Sequence, residues 1–322
     1  MRVDRLYDRY LNIIRPIKPW TNVYAMSRSI MAFSMLLTLV FNSSTTFFKN
    51  EEMLSKYRDT YSIFTMFPYE YIGLIKGLCI VILLLVIIGW RPQITGILHW
   101  WIAYSFQNSA ITIDGGEQVA AVFTLLLIPI TLTDPRKWHW SIENTNNNRR
   151  FELYYKSIAF VFLWLIRFQV ALLYFHSILA KLSDEDWING TAVYYYLNDP
   201  MYGLPNLLHS MFDFILDSKL VIIPTYLTLL TQFILVLGFM APKKIWKYIL
   251  LTGIFMHEIF ALMLGLVSFS LNMLAVLILY LRPWENRFSL SFVTKLANRF
   301  SKVLNNTNQK KENDYGTEIK RI

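Results

Sequence analysis

Residues 71–90 read YIGLIKGLCIVILLLVIIGW, an apolar run interrupted by the single charge of Lys76. Its length is close to the roughly 20 residues that a helix needs to cross the hydrocarbon core of a bilayer. The run lacks the polar–apolar alternation of a barrel strand, and lipid cannot satisfy the backbone polar groups of an open strand. It therefore predicts a transmembrane helix.

Seven further apolar runs surround this one. Hydrophobic residues make up 55% of the chain and charged residues 16%, whereas about a quarter of a soluble domain is charged. The sequence therefore predicts an all-α polytopic membrane helical bundle of about eight transmembrane helices. In chain order, the predicted spans cover residues 22–41, 71–90, 93–106, 117–133, 156–181, 219–240, 245–264 and 266–281.

Charged residues alternate between the two sides of these spans. The N-terminal segment, every second loop and the tail are basic, whereas the remaining loops are mixed or acidic. By the positive-inside rule, both termini are expected to be cytoplasmic in a multi-pass protein of the cell membrane. The net charge of +9 lies beside the span ends, so we expect a lipid bilayer as partner and no nucleic acid.

Three regions follow from this pattern. Residues 1–20 are predicted to form an interfacial amphipathic helix, and residues 21–284 the transmembrane domain, with an aromatic outer loop at residues 182–218. Residues 285–322 form a basic cytoplasmic tail that we expect to be disordered. The single cysteine, Cys79, allows neither a disulfide framework nor a cysteine metal site.

Candidate functional residues concentrate in residues 164–197, WLIRFQVALLYFHSILAKLSDEDWINGTAVYYYL. Arg167, Tyr174 and Lys181 recur every seven residues and share one stripe of a helix, while Gln169 and His176 form a parallel stripe. Polar residues inside a span face the bundle interior or a cavity by default. Lys181 is expected at the outer end, about 21 Å along the helix from Arg167.

Each of these residues also has a structural interpretation. Lys181 suits a lysine that ends a span by extending its amine to the interface. Arg167 could pair with a carbonyl or carboxylate inside the bundle, and His176 could be a hydrogen-bonded interior histidine. The chain contains neither the H-E-x-x-H zinc motif nor a G-x-S-x-G elbow, so no standard hydrolase is indicated and no metal site is predicted.

One stretch carries a family resemblance. Its residues, in order, are Tyr174-Phe175, Lys181-Leu182 and Asp186-Trp187-x-x-Gly190. This pattern resembles the membrane domain of vitamin K-dependent γ-carboxylase and the wider HTTM (horizontally transferred transmembrane) family. Arg28, the run NSAITIDGGE that ends at Glu117, and the segment from His257 through FSLNML are also similar.

The resemblance implies that Lys181 is a catalytic base at the outer membrane face. Tyr174, which belongs to the same pattern, and His176, on the parallel stripe of the helix, are further catalytic candidates. Candidate binding residues are Arg28, Arg167, Gln169, Glu117, Trp187 and His257. A quinone-like cofactor is implied by the resemblance alone. The large β-domain that holds the substrate of the carboxylase has no counterpart in the sequence, so carboxylation of glutamate is not expected.

Chain size, span number and motifs further resemble family members that mature a secreted peptide toxin, a bacteriocin of sibling killing (cannibalism) linked to sporulation delay. The implied partners are a toxin precursor peptide and a small partner protein. Three functions stay open at this point. The chain could be a membrane maturation enzyme or a subunit of one, with Lys181 as base. It could instead be a non-catalytic scaffold that presents the precursor, or a peptide transporter or immunity receptor.

Overall fold

A computed structural model describes residues 2–48, 61–111, 114–141, 151–200 and 203–288, without the side chains of residues 2–7, 206 and 207. The described chain is helical, and its one extended pairing is an isolated bridge between Trp90 and Trp138. In chain order, the principal helices are α1 (Arg2–Ile14), α2 (Asn22–Phe41), α3 (Ser44–Phe47), α4 (Ile72–Ile88), α5 (Pro92–Ser109), α6 (Gly115–Thr133), α7 (Glu152–Leu182), α8 (Glu185–Ile188), α9 (Ala192–Leu197), α10 (Asn206–Leu216), α11 (Ile222–Leu237), α12 (Trp246–Leu264) and α13 (Val267–Leu281).

Six helices in the described part of the chain are long and apolar enough to cross a membrane. They are α2, α4 with the short turn before it, α6, α7, α11 with the turn before it, and α12. The predicted spans at residues 93–106 and 266–281 also form helices, α5 and α13. Polar residues lower the hydropathy of α5, and α13 has only 15 residues. The all-α polytopic membrane fold is confirmed, whereas the number of spans stays a prediction.

Helix α13 lies at the centre of the bundle and contacts α2, α6, α7 and α12. From Ala275 to Leu281 every one of its residues is buried. Helices α4 and α5 pack beside α2 and α6 and enclose a second apolar cluster around Phe64 and Phe106. The chain through Asn286 is one compact unit.

Hydrogen bonds between helix ends define two ends of this bundle. At one end, the start of α2 meets the end of α13, where Thr21 donates to the carbonyl of Trp284 at 2.6 Å. At the opposite end, α2 meets the start of α13, where Ser34 donates to the carbonyl of Ser268 at 3.1 Å. We call these the Arg28 end and the Lys181 end, after the residues described below. The positive-inside rule predicts that the Arg28 end is cytoplasmic.

Local sequence fixes where the helices begin and turn. Asp114 and Glu117 form a capping box at the start of α6. The Asp114 carboxylate accepts the backbone N–H of Gly116, and the Glu117 carboxylate accepts that of Asp114. Gly89 ends α4 at φ +83°, a left-handed conformation that glycine adopts without the steric cost of a Cβ. A Cβ at Gly89 would lie 2.1 Å from the His139 ring, so the glycine also makes room for that histidine.

The N-terminal and tail predictions have different outcomes. Residues Arg2–Ile14 form a helix that contacts α7, whereas an interfacial helix over residues 1–20 stays a prediction. The outer loop predicted at residues 182–218 contains the short helices α8, α9 and α10. The tail from residue 289 lies outside the described residues, so its predicted disorder stays a prediction.

Candidate functional site

Lys181 lies in the last turn of α7, where it is half-buried. Its Nζ donates a hydrogen bond of 2.8 Å to Oγ of Ser177, one turn earlier on the same helix. The ring centroid of Trp187 lies 5.1 Å from the amine, within the range of a cation–π contact. Asp184 caps α8 by accepting the backbone N–H of Asp186, and the short helix that follows turns the Trp187 ring into the bundle.

The hydroxyl of Ser177 extends this contact to the neighbouring helix. It donates to Oε1 of Gln232 on α11 at 3.4 Å. Gln232 is buried, so the Lys181–Ser177 pair is hydrogen-bonded to an amide in the interior of the bundle. No described carboxylate lies within ion-pair distance of the Lys181 amine, whose contacts are a hydroxyl and an indole ring.

Tyr174 and His257 form a second pair beneath Lys181. The Tyr174 hydroxyl lies 2.9 Å from Nε2 of His257, which joins α7 to α12, and both side chains are buried. Nδ1 of His257 is also buried, without a hydrogen-bond partner among the described residues. Phe269 of α13 packs against the imidazole with the ring centroids 5.3 Å apart.

Glu117 lies next to this pair on the other side of α13. Its Oε1 accepts a hydrogen bond of 3.0 Å from Ser268, the residue before Phe269. The Ser268 hydroxyl also forms a hydrogen bond with the Ser34 hydroxyl, which accepts a second one of 3.2 Å from the Asn272 amide. A buried seam of polar groups therefore links α2, α6 and α13 at the Lys181 end.

Together these residues form what we call the Lys181 site: Lys181, Ser177, Gln232, Tyr174, His257 and Trp187. Helices α7, α11 and α12 supply it, and α8 covers one side. Four of its members were candidates from the sequence, namely Lys181, Tyr174, His257 and Trp187. Ser177 and Gln232 were not. The spacing of four residues between Ser177 and Lys181 places both on one helical face, which was the available signal for Ser177. No sequence signal joins Gln232 to them.

Arg28 is not part of this site. It is buried at the opposite end of the bundle, where Nη2 donates to Thr95 at 2.7 Å and Nη1 donates to Nδ1 of His139 at 3.3 Å. Beside it, the Tyr24 hydroxyl donates to Asp134, which forms a 2.7 Å ion pair with Arg136. This cluster ties the first turns of α2 to the segment after α6, which explains a buried arginine near the start of a span.

Arg167 also lies away from Lys181. It is fully buried and its guanidinium carbon lies 3.9 Å from the ring centroid of Trp246 and 4.7 Å from that of Trp164. Trp246 begins α12, and Tyr280, whose ring is 5.9 Å from the same carbon, is near the end of α13. Arg167 is therefore mid-helix in α7 but level with the Arg28 end of its neighbours.

His176 and Gln169 lie on a different side of α7 from the Lys181 site. His176 is exposed on the bundle surface and contacts the ring of Phe175, with centroids 6.1 Å apart. Gln169 is half-buried, and its side chain makes no hydrogen bond within the described part of the chain. Neither residue is brought to Lys181, because the stripe of Tyr174 faces the interior and the parallel stripe faces outward.

Comparison with known proteins shows the family to which the chain belongs. It is 48% identical to Uncharacterized protein YitO of Bacillus subtilis (strain 168) over 283 residues, which cover 86% of this chain and 91% of that one. It is 38% identical to Sporulation-delaying protein SdpB of the same organism, again over 283 residues and 86% of each chain. The chain belongs to the SdpB family. No family model and no solved structure matches it, so the resemblance to the HTTM family stays a prediction.

Proposed function

We propose that this SdpB-family protein is the membrane component that matures a secreted peptide toxin precursor, with Lys181 as the base. The observation that carries the proposal is the half-buried setting of Lys181 in a chain 38% identical to SdpB. The amine is held against Ser177 and Trp187 in a site shared by three helices. The precursor would reach the site at the outer membrane face, together with the small partner protein, sporulation-delaying protein A.

The surroundings of Lys181 suit a proton acceptor. A lysine amine acts as a base only in its neutral form, and both desolvation and the absence of a carboxylate partner favour that form. Trp187 and Ser177 contact the amine without supplying negative charge. Tyr174 lies about two helical turns deeper on α7, and with His257 it can orient a polar group of the precursor. The buried Nδ1 of His257 has no hydrogen-bond partner among the described residues, so it could bind a polar group of a quinone-like cofactor. Lys181 can accept a proton without such a cofactor.

The test replaces Lys181 and follows the precursor in cells that secrete it. Lys181→Ala is expected to abolish mature toxin while the membrane protein accumulates normally. Lys181→Arg is expected to be inactive as well, because a guanidinium stays protonated. Lys219→Ala is the matched control, since Lys219 is an exposed lysine at the same end of the bundle and is expected to leave toxin yield unchanged.

A scaffold would give a different pattern. Exposed apolar side chains on α9 and α10, among them Tyr195, Tyr196, Met211 and Phe214, offer a surface on which a precursor or partner could dock. For a scaffold, Lys181→Arg would retain toxin yield, whereas Tyr196→Ala or Phe214→Ala would abolish binding of the partner. Retention of mature toxin by both Lys181 variants would remove the proposed role of the base. Secretion of uncleaved precursor by cells lacking the protein would count against a transporter.

A further inference from the structure

Arg167 is the most demanding buried group outside the Lys181 site. Only 1% of its surface is exposed, and Nε, Nη1 and Nη2 are all buried without a hydrogen-bond partner among the described residues. A guanidinium carries five N–H donors and is always charged. Leaving such donors without acceptors in a buried position is costly, so an acceptor is needed at this position.

Aromatic rings stabilise the charge of Arg167 but cannot satisfy its donors. Trp246 and Trp164 lie over the guanidinium, with centroids 3.9 and 4.7 Å from its carbon. Rings that stack on a planar guanidinium contact its faces, whereas its N–H groups point outward in the plane. The rings therefore hold the guanidinium in place and leave its buried N–H donors without an acceptor among the described residues.

A second cation and another unused donor lie beside the same rings. Nζ of Lys243 is 5.8 Å from the ring centroid of Trp246 and 5.8 Å from that of Trp284. Nε1 of Trp284 is buried and has no hydrogen-bond partner in the described chain. Glu285 pairs with Lys243 at 3.2 Å. The carboxylate neutralises one of the two cations and leaves one positive charge in excess.

The position of this cluster indicates the kind of anion. α11 ends, α12 begins and α13 ends at this level, where Lys244 of the connection and Lys247 of the first turn of α12 are exposed. Helix ends flanked by basic and tryptophan side chains mark the depth of lipid headgroups. Arginine binds phosphate through paired N–H donors, and one excess positive charge matches a phosphodiester.

We propose that Arg167, Lys243 and Trp284 bind a phosphate group with a single negative charge. The site is separate from Lys181, and the proposal does not depend on toxin maturation. The phosphate can come from the headgroup of an anionic phospholipid or from free inorganic phosphate. Lys243, whose side chain is 59% exposed, stands on the side from which the phosphate enters.

The test uses the full-length protein, purified in a maltoside detergent and stripped of lipid. Native mass spectrometry and thermal unfolding are measured after adding phosphatidylglycerol, a neutral glycolipid with the same acyl chains, or inorganic phosphate. Phosphatidylglycerol is expected to stay bound and to raise the unfolding temperature, whereas the glycolipid does neither. An equal effect of inorganic phosphate alone would assign the site to free phosphate.

Variants separate the site from general attraction to a basic surface. Arg167→Met is expected to weaken phosphatidylglycerol binding about tenfold or more, the loss expected for one charge-assisted hydrogen bond. Trp284→Phe keeps the ring and removes one N–H, and Lys243→Gln removes the exposed charge. Both keep the protein testable if Arg167→Met does not fold. Lys247→Gln is the matched control. The proposal fails if neither probe binds, or if Trp284→Phe and Lys243→Gln bind phosphatidylglycerol as well as the control.

Discussion

At the residue scale, His139 shows how burial fixes a protonation state. The imidazole is fully buried, and Nδ1 faces Nη1 of Arg28 at 3.3 Å. An arginine can only donate, so Nδ1 must accept, and the proton resides on Nε2 beside the Ser29 hydroxyl. Burial, with the charges of Arg28 and Arg136, lowers the pKa of His139 from 6.5 to about 2. The ring therefore stays neutral throughout the physiological range.

This pKa makes stability depend on pH. The unfolded chain binds a proton at His139 below pH 6.5, whereas the folded protein does not do so until far lower pH. Stability is therefore full above pH 6.5 and falls as the pH is lowered. Between pH 7 and pH 5 the loss is about 2 kcal/mol. Thermal unfolding in detergent at the two pH values measures it.

A variant isolates the contribution of this one ring from those of the other histidines. His139→Gln keeps a hydrogen-bonding side chain that does not titrate. The difference in stability between pH 7 and pH 5 is expected to be smaller by about 2 kcal/mol in His139→Gln than in the unaltered protein. An identical pH dependence in the two proteins would contradict this, because it would mean that His139 is protonated as readily in the folded protein as in the unfolded chain.

At the element scale, α6 and α13 pack closely because of a glycine. A Cβ on Gly116 would lie 2.8 Å from Cα and 2.9 Å from the backbone nitrogen of Phe269. Backbone atoms cannot move aside as a side-chain tip can, so one helix must shift. This approach brings Ser268 to Glu117 and seats Phe269 against His257.

Gly116→Ala is therefore expected to separate α6 from α13 and to destabilise the protein by about 1–3 kcal/mol. Gly73→Ala is the matched control, because nothing lies within 4 Å of a Cβ at that helical position. Alanine there should be neutral or stabilise by up to about 1 kcal/mol. The prediction is tested by comparing the unfolding temperatures of the two variants with that of the unaltered protein in the same detergent. Equal stability of both variants would contradict the close packing of the two helices.

The sequence predicts the helices better than it predicts which of them meet. The bounds of α2 agree with the predicted span at residues 22–41, because hydropathy and the Thr21 cap mark both ends. The interior stripe of Arg167 and Tyr174 also followed from helical spacing. The pairs Tyr174–His257 and Ser177–Gln232 depend on the packing of α7 against α12 and α11. The sequence of a transmembrane helix does not show which other helix it packs against.

At the scale of the whole molecule, the distribution of charge predicts how the bundle lies in the membrane. The Arg28 end carries Lys243, Lys244 and Lys247, and the Lys181 end carries the acidic segment at Asp184–Asp186. The positive-inside rule then places Lys181 outside and Arg28 inside. The proposed site for an exported peptide requires this orientation.

Labelling of single cysteines tests the orientation. In a Cys79→Ala background, Asn189→Cys is expected to react with a membrane-impermeant maleimide in intact cells, because Asn189 is exposed beside α8. Lys244→Cys, exposed at the other end, is expected to react only after the cells are permeabilised. The reverse pattern would place the Lys181 site in the cytoplasm and exclude contact with an exported precursor.

Helix α7 has a mechanical consequence for the whole molecule. Its 31 residues measure about 46 Å, against roughly 30 Å for a hydrocarbon core. Its first turns lie beside α1, where the Tyr10 hydroxyl meets Ser157 at 2.5 Å. A rod longer than the membrane responds to bilayer thickness by tilting. Since Arg167 and Lys181 belong to this one rod, a change in its tilt would change the depth of both residues together.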